Sequence, residues 1–127
     1  MSGTASASET SAQSIKDYAH QLGFEACGIA QAVPIDPEDR LGDWLRAGYH
    51  AEMAWMERTQ GLRQDVALKL PGARSVIVVA RNYYQPGPDD LPGFGRVARY
   101  AWGRDYHKVL MRPLKALAAF VVRLTPG

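Results

Sequence analysis

The stretch LPGARSVIVVA, from Leu70 to Ala80, predicts a tight turn that leads directly into a β-strand. Proline followed by glycine, as in Pro71-Gly72, suits the two central positions of a β-turn. The run from Ser75 to Ala80 is rich in β-branched residues, which favour strands. Because this run is continuously apolar rather than alternating, we predict a central strand that is covered on both faces.

Near the N-terminus, residues 14–30 predict a helix followed by a second strand. Residues 1–13 are small and polar, and we predict a disordered tail there. Ser14, with Asp17 three residues later, predicts the start of the helix, and Gly23 predicts its end. The apolar run from Phe24 to Ala30 predicts a short buried strand. The helix would have one apolar face, formed by Ile15, Tyr18, Ala19 and Leu22.

Two short helices are predicted between the strands. Gly48 predicts the end of the first helix, and the second is predicted from Ala51 to Arg58. The second helix would bury Met53 or Met56. We predict that the methionine and tryptophan side chains here belong to the core, although a cofactor surface fits the same spacing. The first helix has an apolar face formed by Leu41, Trp44 and Leu45.

The last third of the chain predicts a loop, a strand and a long helix. Three prolines and three glycines between Pro86 and Gly95 predict a loop beside a ligand site. A short strand is predicted from Arg96 to Tyr100. Asp105 is a suitable N-cap for a helix that starts at Tyr106. Pro113 either kinks that helix or marks its true beginning. The apolar face of the helix would contain Val109 or Leu110, then Leu114, Leu117, Val121 and Leu124.

Together these elements predict an α/β fold with a small central sheet flanked by helices, and residues 14–127 form one domain. Only two or three strands are predicted, which leaves the edges of the sheet exposed. A following segment would normally cover such edges, so we expect the domain to be incomplete.

Several common functional sites have little support in the sequence. Cys27 is the only cysteine, which excludes an intrachain disulfide and a cysteine-based metal site. The segment GFGRVAR, from Gly93 to Arg99, lacks the third glycine of a dinucleotide-binding fingerprint. Neither a signal peptide nor an apolar run long enough for a membrane is present, so we expect a cytoplasmic protein without membrane contact. No metal-binding motif contains any of the three histidines, His20, His50 and His107.

The stretch RYAWGRDYHKVLMR, from Arg99 to Arg112, is the densest in chemically versatile residues. Its arginines can bind phosphate, its aromatic rings can line an apolar cofactor, and its histidine can transfer a proton. Residues 96–115 hold six basic residues and one acidic residue, a net charge of +5 in a chain whose total is +2. Such a face suits an anionic partner, although a merely solvated helix face has the same composition.

Four blocks of the sequence resemble the N-terminal part of epoxyqueuosine reductase. The blocks LPGARSVIVVARNYY and RYAWGRDYHKVL together give a specific signal, and all four occur in the order found in that family. They cover most of the chain from Ile15 to Ala119. In chain order the four blocks are GFEACGIA, WLRAGYHAEMAWMER, LPGARSVIVVARNYY and RYAWGRDYHKVL.

The resemblance implies an oxidoreductase that uses cobalamin and 4Fe-4S clusters to reduce epoxyqueuosine to queuosine in tRNA. It also implies that this α/β part is of the corrinoid-binding type. By resemblance, Arg63 contacts cobalamin through its side chain and Ala98 through its backbone. Further residues of the family's motif are expected at the cofactor, namely Arg99, Trp102, Arg104, Tyr106 and His107.

The resemblance also implies that parts of the reductase are missing. The family's proton-donating aspartic acid lies beyond residue 127, and so does the cysteine-rich segment that holds the clusters. We therefore expect this chain to hold part of the cobalamin pocket, to carry no catalytic residue and to be inactive alone, with the other half possible as a separate chain. Two alternatives stay open, a non-catalytic RNA-binding module that uses the basic 96–115 face, and a small flavin or nucleotide binder.

Overall fold

The computed structural model describes residues 7–87 and 92–124, which fall into two compact units. The first unit contains residues 7–28 and 79–124 of this range, and the second contains residues 29–78. Residues 1–6 of the predicted tail lie outside the described residues, as do residues 88–91 of the predicted loop.

The first helix, α1, begins at Ala7 and runs to Gln21. The predicted start at Ser14 is therefore wrong, and the predicted disordered tail is wrong for residues 7–13. The Ser14 hydroxyl does not cap the helix but donates to the carbonyl of Thr10, at 2.9 Å. A serine inside a helix can satisfy its hydroxyl in this way, which leaves a capping pattern without a cap.

The end of α1 follows the sequence prediction. Gly23 has φ of 94°, in the left-handed region, and its amide donates to the carbonyl of His20 at 3.0 Å. The amide of Phe24 donates to the carbonyl of Ala19 at 3.1 Å. These two bonds form a Schellman motif, which satisfies carbonyls that the end of a helix leaves open.

The core of the first unit forms between α1 and the last helix, α5, which runs from Tyr106 to Leu124. The Tyr18 ring stacks on the Phe120 ring with 4.3 Å between centroids. Pro113 lies inside α5, so the helix does not begin at the proline, and Val109 loses the amide donor four residues on. The buried apolar residues of this unit are Ile15, Ala19, Phe24 and Leu117.

The second unit contains three short helices, α2 from Arg40 to Arg46, α3 from Ala54 to Arg58 and α4 from Gln60 to Gln64. The sequence predicted α2 and its stop at Gly48, which has φ of 74°. It predicted a longer α3, but Ala51 has φ of 48°, which excludes it from the helix. The sequence did not predict α4, which is a short helix of five residues.

The aromatic and methionine side chains of the second unit are less buried than predicted. Met53 and Met56 are both half-buried, whereas Trp55 is 49% exposed and does not belong to the core. Leu45 is buried, as its helical spacing predicted.

A polar network joins α2 and α4. The Gln64 amide donates to Oδ2 of Asp36 at 2.9 Å and to Oδ1 of Asp39 at 2.8 Å. The Asp36 carboxylate also accepts the backbone amides of Arg40 and Leu41 at the start of α2. These hydrogen bonds, that from Gln64 first, lower the pKa of Asp36.

Two strands, β1 from Ala26 to Gln31 and β2 from Ser75 to Ala80, form a two-stranded sheet. The Glu25 amide donates to the Ala80 carbonyl, and the Ala32 amide donates to the Arg74 carbonyl, so the pair is antiparallel. The turn at Pro71-Gly72 is confirmed by the bond from the Ala73 amide to the Leu70 carbonyl.

The predicted covering of both faces of β2 is wrong for the described residues. Among these, β1 is the only neighbour of β2, and Val78 is 58% exposed. β1 is likewise only partly buried. The predicted strand from Arg96 to Tyr100 is also wrong, because Arg99–Ala101 forms a 3₁₀ turn closed by the bond from the Ala101 amide to the Ala98 carbonyl. The coarse prediction of a mixed helix and strand fold with a small sheet is confirmed.

Within the described ranges, no helix is both long enough and apolar enough to cross a membrane.

We expect Gly23→Ala to lower the free energy of unfolding by about 1–2 kcal/mol, because a side chain disfavours the left-handed conformation at this position. Urea titration followed by circular dichroism measures the change. Gly28→Ala is the matched control, because Gly28 has no positive φ and a Cβ there meets nothing within 4 Å. Equal losses in both variants would contradict the assigned role of Gly23.

Candidate functional site

The first unit contains a cavity of about 570 Å³ beside the dense stretch of the sequence. Two segments surround it, the chain that leaves β2 and the junction that leads into α5. Most of the lining is aromatic or carries an amide or guanidinium group. The lining residues are Arg81, Asn82, Tyr83, Tyr84, Gln85, Tyr100, Trp102, Arg104, Tyr106, Val109 and Leu110.

Local backbone chemistry places the junction segment. Gly103 has φ of 76°, which lets the chain turn between the 3₁₀ turn and α5. A Cβ at Gly103 would also lie 2.9 Å from Nε2 of Gln85, so the two segments approach closely here. Asp105 then caps α5, since its Oδ1 accepts the amide of His107 at 3.0 Å. The predicted cap and the predicted start at Tyr106 are thus confirmed.

Three tyrosines form a continuous aromatic wall of the cavity. Tyr83 and Tyr100 meet edge to face with 6.4 Å between ring centroids. Tyr100 and Tyr106 do the same at 6.2 Å. Aromatic pairs favour this geometry, so the three rings form one largely apolar surface.

The guanidinium of Arg99 lies between two aromatic rings. Its Cζ is 4.9 Å from the ring centroid of Tyr84 and 4.9 Å from that of Trp102. Both distances are within the range of cation–π attraction. The Trp102 indole is held further by its Nε1, which donates to the carbonyl of Val97 at 2.9 Å.

Arg104 is placed differently. It lines the large cavity and also a smaller one of about 370 Å³, which it shares with Asp105, Lys108 and Val109. Within the part of the chain that the structure describes, Arg104 has no hydrogen-bond or ion-pair partner. Its guanidinium is therefore available to an anion or a carbonyl group of a ligand.

His107 is engaged with its own helix cap. Its Nδ1 lies 3.0 Å from Oδ1 of Asp105, and its ring stacks on Tyr106 with 4.1 Å between centroids. The hydrogen bond from the His107 side chain, followed by that from the His107 amide, lowers the pKa of Asp105 below its ordinary value. His107 does not belong to the lining of either cavity.

Comparison with known proteins identifies the family. The sequence model described as "Epoxyqueuosine reductase QueG, DUF1730" matches residues 63–127, about half of the chain. The chain belongs to this family. The matched region includes β2, the whole cavity lining and α5, so the family's own pattern covers the site.

Curated relatives agree with this assignment. Epoxyqueuosine reductase from Gloeobacter violaceus is 50% identical over 93% of this chain and 37% of its own length. The reductase from Synechocystis sp. is 48% identical over 78% of this chain and 35% of its own length. The chain thus spans about a third of the length of the curated relatives it matches.

Two solved structures are also similar. Epoxyqueuosine reductase from Streptococcus thermophilus is 28% identical, with a TM-score of 0.60 over 91% of this chain and 32% of its own. An epoxyqueuosine reductase crystallised with an epoxyqueuosine-modified tRNA stem loop is 27% identical, with a TM-score of 0.64 over 86% of this chain and 30% of its own. The resemblance seen in the sequence to the N-terminal part of this family is confirmed.

Some of the predicted site residues line the cavity, and others do not belong to its lining. Trp102, Arg104 and Tyr106 line one cavity, and Arg99 is packed beside it. Ala98 lies at the start of the 3₁₀ turn, outside the lining. Arg63 belongs to the second unit, where it is exposed on α4 and its Nε donates to Oγ1 of Thr59 at 2.9 Å.

Sequence reasoning gave no site role to the segment from Asn82 to Gln85, which supplies four lining residues. A signal was present, because two tyrosines and two amides follow directly after a strand. Such residues at the end of a strand commonly belong to binding sites. No group of three or more metal-ligating side chains occurs among the described residues, and Cys27 is a half-buried free thiol.

We expect His107→Ala to raise the pKa of Asp105 toward its ordinary value of 3.8. In the wild type, the ionised carboxylate stabilises the folded state above the unfolded-state pKa, and this stabilisation is lost as the pH falls through the lowered folded-state pKa. Carboxyl ¹³C NMR titration measures the pKa of Asp105 in the wild type and in the variant. The titration runs between pH 2 and 6, about two units on either side of the ordinary pKa. Asp36 is the internal control, because Gln64 rather than His107 lowers its pKa. An unmoved Asp105 titration would contradict the assigned cause.

Proposed function

We propose that the chain is the N-terminal part of an epoxyqueuosine reductase and acts in the reduction of epoxyqueuosine to queuosine in tRNA. The observation that carries this proposal is the family match over residues 63–127, which includes the entire cavity lining. The match favours a reductase over an unrelated flavin or nucleotide binder. The cytoplasm, where tRNA is present, is the compartment we propose.

Cobalamin is the cofactor that we propose for this cavity. The corrin macrocycle is a broad apolar surface with amide groups on its rim, and the cavity combines aromatic rings with amide and guanidinium groups. The cavity volume of about 570 Å³ suits a drug-sized group, so it fits one edge of a corrinoid rather than the whole. When bound, cobalamin would supply the reducing centre for the epoxide.

Each proposed contact comes from a different part of the lining. The tyrosine wall formed by Tyr83, Tyr100 and Tyr106 would exclude water from one face of the cofactor. Asn82 and Gln85 would bind amide groups of the rim, and the guanidinium of Arg104 would bind a carbonyl or phosphate. Roles for Arg63, Ala98 and His107 at the cofactor stay predictions, since none of them lines the cavity.

The 4Fe-4S clusters do not fit this chain. Such clusters are held by several cysteine thiolates, and Cys27 is the only cysteine. Asp105 does not suit the role of the proton donor either, because its lowered pKa keeps it ionised near neutral pH. Both functions are therefore proposed for another part of a longer reductase or for a partner chain.

Disruption of the gene that encodes this chain tests the proposed function. We expect epoxyqueuosine to accumulate in tRNA at the expense of queuosine, as measured by mass spectrometry of tRNA nucleosides. Complementation with the wild-type gene would restore queuosine, and Arg104→Ala would restore about a tenth as much, the loss expected for one charged contact. Arg58→Ala, an exposed arginine on α3, is the matched control and should restore it fully. Unchanged queuosine after disruption would contradict the proposal.

A second candidate function is RNA binding by the outer face of α5. This helix has no acidic residue, and Lys108, Arg112 and Lys115 are exposed on one face, opposite the buried Leu117. A basic helix face of this kind suits the phosphates of RNA. It would serve tRNA in a reductase, or any RNA in a non-catalytic module that uses the 96–115 face.

We expect the double variant Lys108→Ala/Lys115→Ala to weaken binding of a tRNA stem loop and to reduce the salt dependence by on the order of two phosphate contacts. Filter binding across a series of salt concentrations measures both. The double variant Lys16→Ala/Lys69→Ala removes equal charge elsewhere and is the control. Equal affinities for the two double variants would exclude the α5 face.

A further inference from the structure

We propose that Arg99 is a positioning residue that joins the two segments lining the cavity, and that it does not contact the ligand. This inference rests on the proposed function only for its consequence in ligand binding. The geometry on which it stands belongs to the chain itself.

Arg99 bridges the two segments through contacts with each of them. Its guanidinium faces the Tyr84 ring on the strand side and the Trp102 ring on the junction side, each at 4.9 Å. Its Nη1 also donates to the carbonyl of Gln85. One side chain of the junction thus binds both a ring and a backbone carbonyl of the segment that leaves β2.

Two further close approaches join Trp102 to the segment that leaves β2. The Trp102 indole is so close to Gly87 that a Cβ there would lie 2.9 Å from the ring. In return, Nε2 of Gln85 lies 3.5 Å from the Trp102 carbonyl. Glycine at position 87 permits this approach because it has no Cβ. A planar cation suits position 99, because a guanidinium presents two flat faces whereas an ammonium does not.

Arg104 is the useful contrast, since it stands only five residues away. It lines both cavities and has no partner of its own within the described residues. The junction therefore contains two arginines with different tasks. Arg99 fixes the shape of the cavity, and Arg104 presents a cation to whatever the cavity holds.

Loss of Arg99 would let the two segments separate without unfolding the helical core. The binding-competent fraction would fall, and the apparent affinity for a ligand would fall in the same proportion. Removal of two cation–π contacts corresponds to roughly a tenfold decrease.

Trp102 fluorescence tests the inference directly. In a Trp44→Phe/Trp55→Phe background, Trp102 is the only remaining tryptophan. We expect Arg99→Ala to shift its emission to longer wavelength and to increase its quenching by acrylamide. Gly87→Ala should do the same by displacing the indole, and Arg99→Lys should restore the wild-type signal only in part. Arg104→Ala and Arg58→Ala should leave emission and quenching unchanged.

Binding of cob(II)alamin, followed by its visible spectrum, is the second readout. We expect the affinity to fall about tenfold in both Arg99→Ala and Arg104→Ala, with the fluorescence change confined to the former. Unchanged Trp102 quenching in Arg99→Ala, or full restoration by lysine, would overturn the inference. If the wild type binds no cob(II)alamin, the cofactor proposal fails, whereas the fluorescence result still decides the role of Arg99. If Arg99→Ala loses its helical circular dichroism, Gly87→Ala and Arg99→Lys decide the question.

Discussion

The hydrogen bond from the His107 amide to the Asp105 carboxylate is the constraint on which the site depends. It fixes the first turn of α5, and so it fixes the direction in which Tyr106 leaves the helix. Tyr106 then meets Tyr100, and Tyr100 meets Tyr83, so one helix cap determines where the aromatic wall begins. Nearer its other end, α5 packs on α1 through the stacking of its Phe120 ring on the Tyr18 ring of α1, so the helix that supports the cavity is anchored at two places.

Local signals in the sequence predicted the elements whose ends are set by single residues. Gly23, Gly48, Pro71-Gly72 and Asp105 each act through their own backbone or a carboxylate nearby, so no distant contact is needed to recognise them. Prediction failed where a local pattern had two solutions. Ser14 bonds back to its helix instead of capping it, and Arg99 begins a 3₁₀ turn instead of ending a strand, with its guanidinium between two rings.

The site was predictable as a stretch of sequence but not as an arrangement. Its residue types indicated a pocket of aromatic and cationic groups, and three of the predicted site residues, Trp102, Arg104 and Tyr106, do line one cavity. The contribution of the segment from Asn82 to Gln85 depends on that segment lying beside the junction, which no periodicity of the sequence reveals. Equally, two arginines of identical chemistry differ only in what surrounds them, and that difference exists in three dimensions alone. The stretch falls wholly within residues 63–127, the range that the family model matches.

The network in the second unit has a consequence for chemical ageing. One Gln64 amide group supplies both of its hydrogens to carboxylates, one to Asp36 and one to Asp39, and it is the main cause of the lowered pKa of each. Deamidation of Gln64 would replace this double donor with a third carboxylate. Three carboxylates would then repel one another where one amide now donates to two of them, and this repulsion would destabilise the start of α2. Slow deamidation of Gln64 would therefore gradually destabilise the second unit during storage.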